Sequence, residues 1–530
     1  MTDLTGTGTL FRLAARRDRV AIPVWVLSIA AMVALTASSL KRLYPTRADL
    51  VHLAATVADN PAVVAIRGQA RGLDTIGGTT AWQVGWFAML AAALMSLLLV
   101  VRHTRGDEET ARMELLLAQP VGRYAALAAA MAIVVVANVA IAVAVAAAMT
   151  AYGAPVGGSV ALGTSIAGAG LVFGAVAAVT AQFATTGRAA SGLAGAALGI
   201  AYVMRAVGDV KHDSVGWLTW VSPLGWAEEM RPFAGDRWWP LAILLVVASV
   251  LVLGAVRRQG ARDYQAGLIA PRPGPPRASR LLTTPLGLAV RVERGTFAGW
   301  AAGGFAIGFA YGSIGNSVKD IIDTSSQLQE VFIRGGGDVV DAFFSTTSMV
   351  LALIATGFAV QAVLRMRADE AGGLAEPILA TALSRTRWAA SHVAVGLAGA
   401  VALTAIAGLG TGLAYALQGG EAIDIGRLTW AAVVQTPAVW VVGALTLVLF
   451  GLIPRISVPI AWSVLGGCVV VSFVGPLLGL PDWVSQLSPY DHIPKLPAAP
   501  FSAWPLLALT GIAAVLTAVG LAGLRRRDIG

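Results

Sequence analysis

Two stretches of this chain carry the residues whose types and order suit chemistry. Residues 106–123 read GDEETARMELLLAQPVGR, and residues 368–385 read ADEAGGLAEPILATALSR. At a constant offset in number, Asp107, Glu108, Glu114 and Arg123 recur as Asp369, Glu370, Glu376 and Arg385. Glu109 extends the first acidic run and has Ala371 opposite it. Acids at the start suit a helix N-terminus, where unpaired N–H groups attract negative charge. Met113, Leu116 and Leu117 add an apolar stripe, and Pro120 predicts a stop near Gln119. A short amphipathic helix with an acidic start and a basic exit recognises by charge pairing and makes no bonds. It suits docking of another polypeptide. The alternative is a solvated connecting turn whose charges only set topology. A turn has no need to repeat its acidic and basic order, and the repetition favours docking.

Bond-making chemistry has no comparable signal. There is no GxxxxGK[ST] loop to cradle ATP phosphates, no HExxH, and no serine triad or dinucleotide fingerprint in a supporting context. His52, His103, His212 and His492 read as loop residues, and His392 lies near the start of an apolar run, so none forms a ligand cluster. The lone Cys468 permits no intrachain disulfide and no Cys-rich metal site. A metal, a resident cofactor and catalysis are therefore not expected.

The elements that must position these stretches are set by composition. The chain has 530 residues, 57% hydrophobic and 13% charged, with a mean hydropathy of +0.73. Soluble domains carry about 25% charged residues, so there is too little charge here to cover a water-facing surface. A spanning helix needs about 20 apolar residues. The expected fold is all-α and polytopic, with about twelve transmembrane helices as two parallel-repeat six-helix halves. The first half, residues 1–264, has spans near 21–40, 82–101, 125–150, 160–183, 189–207 and 239–256. A Pro-rich, basic linker over 265–285 is expected to be extended. The second half, 286–530, has spans near 299–315, 344–364, 390–417, 429–450, 457–480 and 504–524. Ala21–Leu40 is longer than a signal-peptide core and is expected to be retained as the first span.

With the N-terminus inside, roughly two thirds of the 38 Lys+Arg residues fall on the inner side. The expectation is a plasma-membrane protein with both termini cytoplasmic and both acidic stretches on that side. This bias accounts for the high isoelectric point without a nucleic acid partner. Trp217, Trp220, Trp226, Trp238, Trp239, Trp483 and Trp504 fit an interfacial aromatic belt. No Asp or Glu lies deep in an expected span, and Arg205 sits near a span end. A proton-driven pump would need such a group. Gln182, Gln361 and Gln435 either line a cavity or bond across helices.

Each half also opens alike. Arg16-Arg17-Asp18-Arg19 with Trp25 matches Arg291-Val292-Glu293-Arg294 with Trp300. Each is expected to be an amphipathic helix lying in the membrane interface. Ser222-Pro223 and Ser488-Pro489 precede the last span of each half.

On these elbow residues and the two acidic stretches, the whole chain resembles the fused ABC-2 type transporter permeases of the actinobacterial antibiotic and multidrug exporter group, described as exporters of polyketide antibiotics. The resemblance implies a separate ATP-binding subunit, in two copies, which holds ATP and Mg. It implies that Asp107, Glu108, Glu109, Glu114, Arg123, Asp369, Glu370, Glu376 and Arg385 belong to coupling helices that receive the ATPase's motion. Arg16, Arg17, Arg19, Trp25, Arg291, Arg294 and Trp300 would form the elbows. The second and fifth helices of each half would line a route for amphipathic, lipid-soluble drugs moving outward. Lipid or peptide cargo, and a proton-driven exporter, are the rival readings. The second stretch departs from the first at Ala382 for Pro120, Ala371 for Glu109 and Leu374 for Arg112, so the two sites are not expected to be equal.

Overall fold

Long apolar runs in lipid must satisfy every backbone N–H and C=O internally, and a helix does so within one segment. The computed structural model describes residues 3–57, 61–109, 120–210, 212–261, 267, 276–315, 339–473 and 482–527, and every regular element among them is helical. The chain divides into two compact units, Met1–Pro273 and Gly274–Gly530.

The first unit opens with α1 (Thr7–Arg17) and α2 (Ala21–Leu43), followed by the short α3 (Arg47–Val57) and α4 (Pro61–Arg67). Next come α5 (Ile76–His103), its offset continuation α6 (Arg105–Glu109), α7 (Ala125–Ala151), α8 (Val156–Phe183), α9 (Gly187–Val210), α10 (Pro223–Glu228) and α11 (Trp239–Ala261). Helix α8 is the axis of the unit. It packs against α5, α7, α9 and α11, and 78% of its apolar window is buried. Asn138 on α7, fully buried, donates to Ser96 Oγ on α5 and to the Val134 carbonyl, each at 2.8 Å, so its N–H groups are satisfied within that apolar seam.

The second unit contains α12 (Pro285–Ile314), α13 (Val339–Ala371), α14 (Ala375–Leu379), α15 (Arg385–Leu417), α16 (Ala422–Val434), α17 (Thr436–Leu452), α18 (Ser457–Phe473) and α19 (Ala503–Arg526). Helix α13 is its most enclosed element. Helices α12 and α15 meet through Gly308 and Gly312. A Cβ there would lie 2.1 Å from the carbonyls of Ala407 and Thr411, so only glycine permits the approach. Pro437 separates α16 from α17 by removing an N–H from the ladder.

Ten helical segments among the described residues are long and apolar enough to cross a membrane. They are α2, α5 with α6, α7, α8, α9, α11, α13, α15, α16 with α17, and α19. The chain is an all-α polytopic membrane protein. Two of the twelve expected spans fall outside this set. Helix α12 has 30 residues, but its many glycines dilute its hydropathy, and α18 has only 17 residues.

Several expectations need correction. The second elbow is not a separate helix, because Arg291, Arg294 and Trp300 lie on the continuous α12. The linker reading ends early, since Pro285 is the first residue of α12, with Thr284 Oγ1 accepting from Gly287 N at 3.1 Å. Most of residues 265–275 lie outside the described residues. His103 is not in a loop but is the buried last residue of α5. Helix α9 runs on to Val210, so Asp209 belongs to a spanning segment.

Candidate functional site

Helix α5 carries the chain along the full length of the first unit, about 42 Å at 1.5 Å per residue. The acidic stretch therefore lies at one end of that unit and the residue 61–72 region at the other. At the first end α1 presents Leu10 and Ala14 inward and leaves Arg12 and Arg16 exposed. Arg17 turns in and donates through Nη1 to both carboxylate oxygens of Asp107, at 2.8 and 3.0 Å. Asp18, fully buried, meets Arg102 at 2.6 Å and His103. Arg19 is exposed, and Trp25 packs on the core from α2.

Helix α6 is anchored from the opposite side. Arg105, 1% exposed, donates to Glu108 at 2.7 Å and to the Ala181 carbonyl at 2.7 Å. Glu109, exposed, accepts from Gly187 N at 3.0 Å. Glu114 lies outside the described residues, as does most of the expected amphipathic helix. Beyond it, Arg123 donates to the carbonyls of Gln259 and Gly260 at 3.0 and 2.8 Å, while Gln259 Nε2 returns a bond to the Arg123 carbonyl at 2.9 Å. The exit arginine thus holds the carbonyl end of α11, where unpaired C=O groups attract positive charge.

The second unit repeats the plan with other partners. Asp369 pairs with Arg365 at 2.8 Å on the last turns of α13. Glu370 meets Arg527 and, at 3.6 Å, Arg367. Gly373, at φ 68°, ends α13, and the Leu374 N–H reaches back to the Asp369 carbonyl at 2.8 Å. Glu376 is exposed in the first turn of α14. Arg385, at the start of α15, donates to the Arg527 carbonyl at 2.6 Å, just past the end of α19. Both exit arginines therefore grip the end of their unit's last helix. Arg291 and Arg294 are exposed on α12, and Trp300 Nε1 donates to Gln361 Oε1 at 2.8 Å. Gln361 thus bonds across helices.

The sequence placed these acids as surface charges, but Asp107, Glu108, Asp369 and Glu370 lie in internal ion pairs. Two partners went unread. Asp18 sits among basic residues and looks like their local counter-ion. Arg527 lies in a terminal basic run that looks like a topology signal.

Another charge cluster lies at the far end of the first unit. Arg205 on α9, 1% exposed, donates to the carbonyls of Ala65 and Ile66 at 3.2 and 3.0 Å, closing the C-terminus of α4. It also faces Glu228 at 3.2 Å and Asp209 at 3.5 Å, and Thr219 Oγ1 donates to Asp209 at 2.8 Å. Arg71 and Arg231 each meet Glu229 at 2.8 Å. Burial, reinforced by Asp209 and only partly offset by Arg205 and Arg71, pushes the Glu228 carboxyl up to about 8. The adjoining cavity, lined by Arg67, Arg71, Trp82 and Glu228 among others, is about 60 Å³. That is room for a few waters and is far below the roughly 300 Å³ a drug-sized molecule needs. The cluster fastens α4, α9 and α10 together. Among the described residues no group of three or more His, Cys, Asp or Glu is placed to hold a metal ion.

Helices long and apolar enough to cross a membrane, with a charged segment tied to the end of the last helix in each unit, are what the transport subunit of an exporter, a permease, requires. The family described as "Multidrug efflux system permease Rv1217c, C-terminal domain" matches residues 8–257 and 282–525. The chain belongs to that family. It is 40% identical over 532 aligned positions to the multidrug efflux system permease protein Rv1217c of Mycobacterium tuberculosis, covering 99% of this chain and 95% of the relative.

Proposed function

We propose that the chain exports drugs or other amphipathic molecules, and that residues 103–124 and 365–388 are the two segments through which a pair of separate ATP-binding subunits drives it. The observation that carries this is the matched wiring. In each unit the segment's exit arginine, Arg123 or Arg385, holds the carbonyl end of that unit's last helix. A push on the segment is thereby delivered to a membrane-crossing helix. The buried acids brace the segments from within, and Glu109 and Glu376 present charge outward.

The apolar part of α12 together with α18 completes twelve spans, six per unit, and the family match over two stretches supports a parallel repeat. With an even count and the basic bias described above, both termini and both segments lie in the cytoplasm of a plasma-membrane protein. The relative's name, a multidrug efflux permease, supports amphipathic cargo. An apolar molecule enters sideways from lipid and needs no charged binding residue. ATP and Mg sit in the partner subunits.

The test is ATP hydrolysis by the reconstituted complex across a panel of amphipathic drugs. Glu108→Ala combined with Glu370→Ala is expected to abolish most of the stimulation that the intact complex shows. Stimulation equal to that of the intact complex removes the coupling assignment. Transport by this chain alone, driven by a proton gradient, removes the ATP-driven reading.

A further inference from the structure

We propose that Arg527 is the positioning residue of the second coupling segment, performing from the C-terminal end the task that Arg17 performs from the N-terminal elbow in the first. This rests on reading 365–388 as a segment that meets an ATP-binding subunit.

The repeat itself poses the question. Arg17 fixes Asp107 from α1, but its counterpart in the second half is Val292, which has no charge to offer Asp369. Arg102 and His103, which hold Asp18, have Leu364 and Arg365 as counterparts, and Arg365 is spent on Asp369 four residues along its own helix. The elbow of the second half therefore cannot brace its acidic segment by the route used in the first.

Arg527 supplies the brace. Its guanidinium pairs with Glu370 at the end of α13, donates to the Phe450 carbonyl at 3.0 Å and lies 5.1 Å from the centre of the Phe450 ring. Its own carbonyl accepts from Arg385 at the start of α15. One residue thus joins both sides of the segment, Glu370 on its entering side and Arg385 on its leaving side, to α17 and α19. Its Arg527 and Glu370 side chains are only 17% and 8% exposed, so water screens the pair weakly. The anchor it grips is firm. Phe450 is fully buried, and the next residue, Gly451, lets α17 touch α19, since a Cβ there would lie 2.5 Å from the Gly520 carbonyl. In the first unit Arg123 holds the carbonyls of Gln259 and Gly260 at the end of α11.

The experiment measures affinity between the purified full-length chain in lipid nanodiscs and the ATP-binding subunit that co-purifies with it, together with kcat and KM for ATP of the assembled complex. The variants are Arg527→Ala, Glu370→Ala, both together, and Arg527→Lys. Each alanine variant is expected to weaken subunit binding by about threefold or more, and the double variant no further than the worse single, because the two changes remove one contact. KM for ATP should stay constant while kcat falls. Lysine keeps the charge, but a single ammonium cannot span Glu370 and the Phe450 carbonyl. Its binding should fall at an unchanged melting temperature, which decides the matter even where Arg527→Ala does not accumulate. Full binding by the Arg527 variants beside weakened binding by Glu370→Ala overturns the proposal and leaves the segment assigned. Full binding by all four variants overturns the segment's assignment itself.

Discussion

Replacing Arg205 by Met tests how the far end of the first unit is held. The side chain is 1% exposed and serves four partners at once: Asp209, Glu228 and the carbonyls of Ala65 and Ile66. Met fills similar volume, so cavity formation adds little, and the cost is that of leaving buried acids without their cation. Breaking a buried pair by removing one partner costs about 3–5 kcal/mol. At about 2–3 °C per kcal/mol for a unit of this size, the apparent Tm in detergent should fall by roughly 6–15 °C. The loss should be smaller at pH 5 than at pH 8, because the stranded Glu228 carboxyl takes up a proton. Arg205→Met with Asp209→Leu and Glu228→Leu should recover most of the loss, since no charge is then left unpaired. A fall of less than about 2 °C for the single variant at pH 8 refutes the idea that this guanidinium holds α4, α9 and α10 together.

Two further outcomes follow from particular positions. Glu228 binds its proton more tightly in the fold, up to about 8, than in the unfolded chain, so its contribution is present at low pH and is lost as pH rises toward 8. The Tm advantage of Glu228→Gln should therefore grow between pH 5 and pH 8 and level off above, and a pH-independent difference contradicts this. Gly308→Ala should cost about 1–3 kcal/mol by forcing α12 from the Ala407 carbonyl. Gly303→Ala, with open space around the added carbon, should be neutral or slightly stabilising, and equal Tm changes for the two would show that the close approach is not a constraint.

Helices and the repeat were legible because both rest on short-range patterns: apolar runs long enough to cross, and acids and arginines at fixed spacing. The break between α1 and α2 was equally available. Pro23 lacks an N–H, and its ring crowds the carbonyl four residues earlier, so a helix cannot run through Arg19. The counterpart in the second half is Ala298, and there α12 is unbroken. The span expected near 299–315 falls on α12, whose glycines dilute its hydropathy and keep it out of the ten helices apolar enough to cross, although small residues are what close helix packing needs. The long-range partners of the acids were not legible, unlike the pairs at helix spacing such as Arg105 with Glu108 and Arg365 with Asp369. Arg17 to Asp107, Arg105 to Ala181 and Arg527 to Glu370 join residues far apart in the chain, and no local spacing rule encodes them. The cluster around Arg205 left only its i, i+4 pairing with Asp209 in the sequence.

The contrast between Pro23 and Ala298 makes the two elbows different machines. At 30 residues α12 is a rod about 45 Å long, so Arg291 and Arg294 near its start are rigidly joined to its apolar remainder. The first half is jointed at residues 18–20, between α1 and α2. One half opens on a joint, and the other on a single rigid rod.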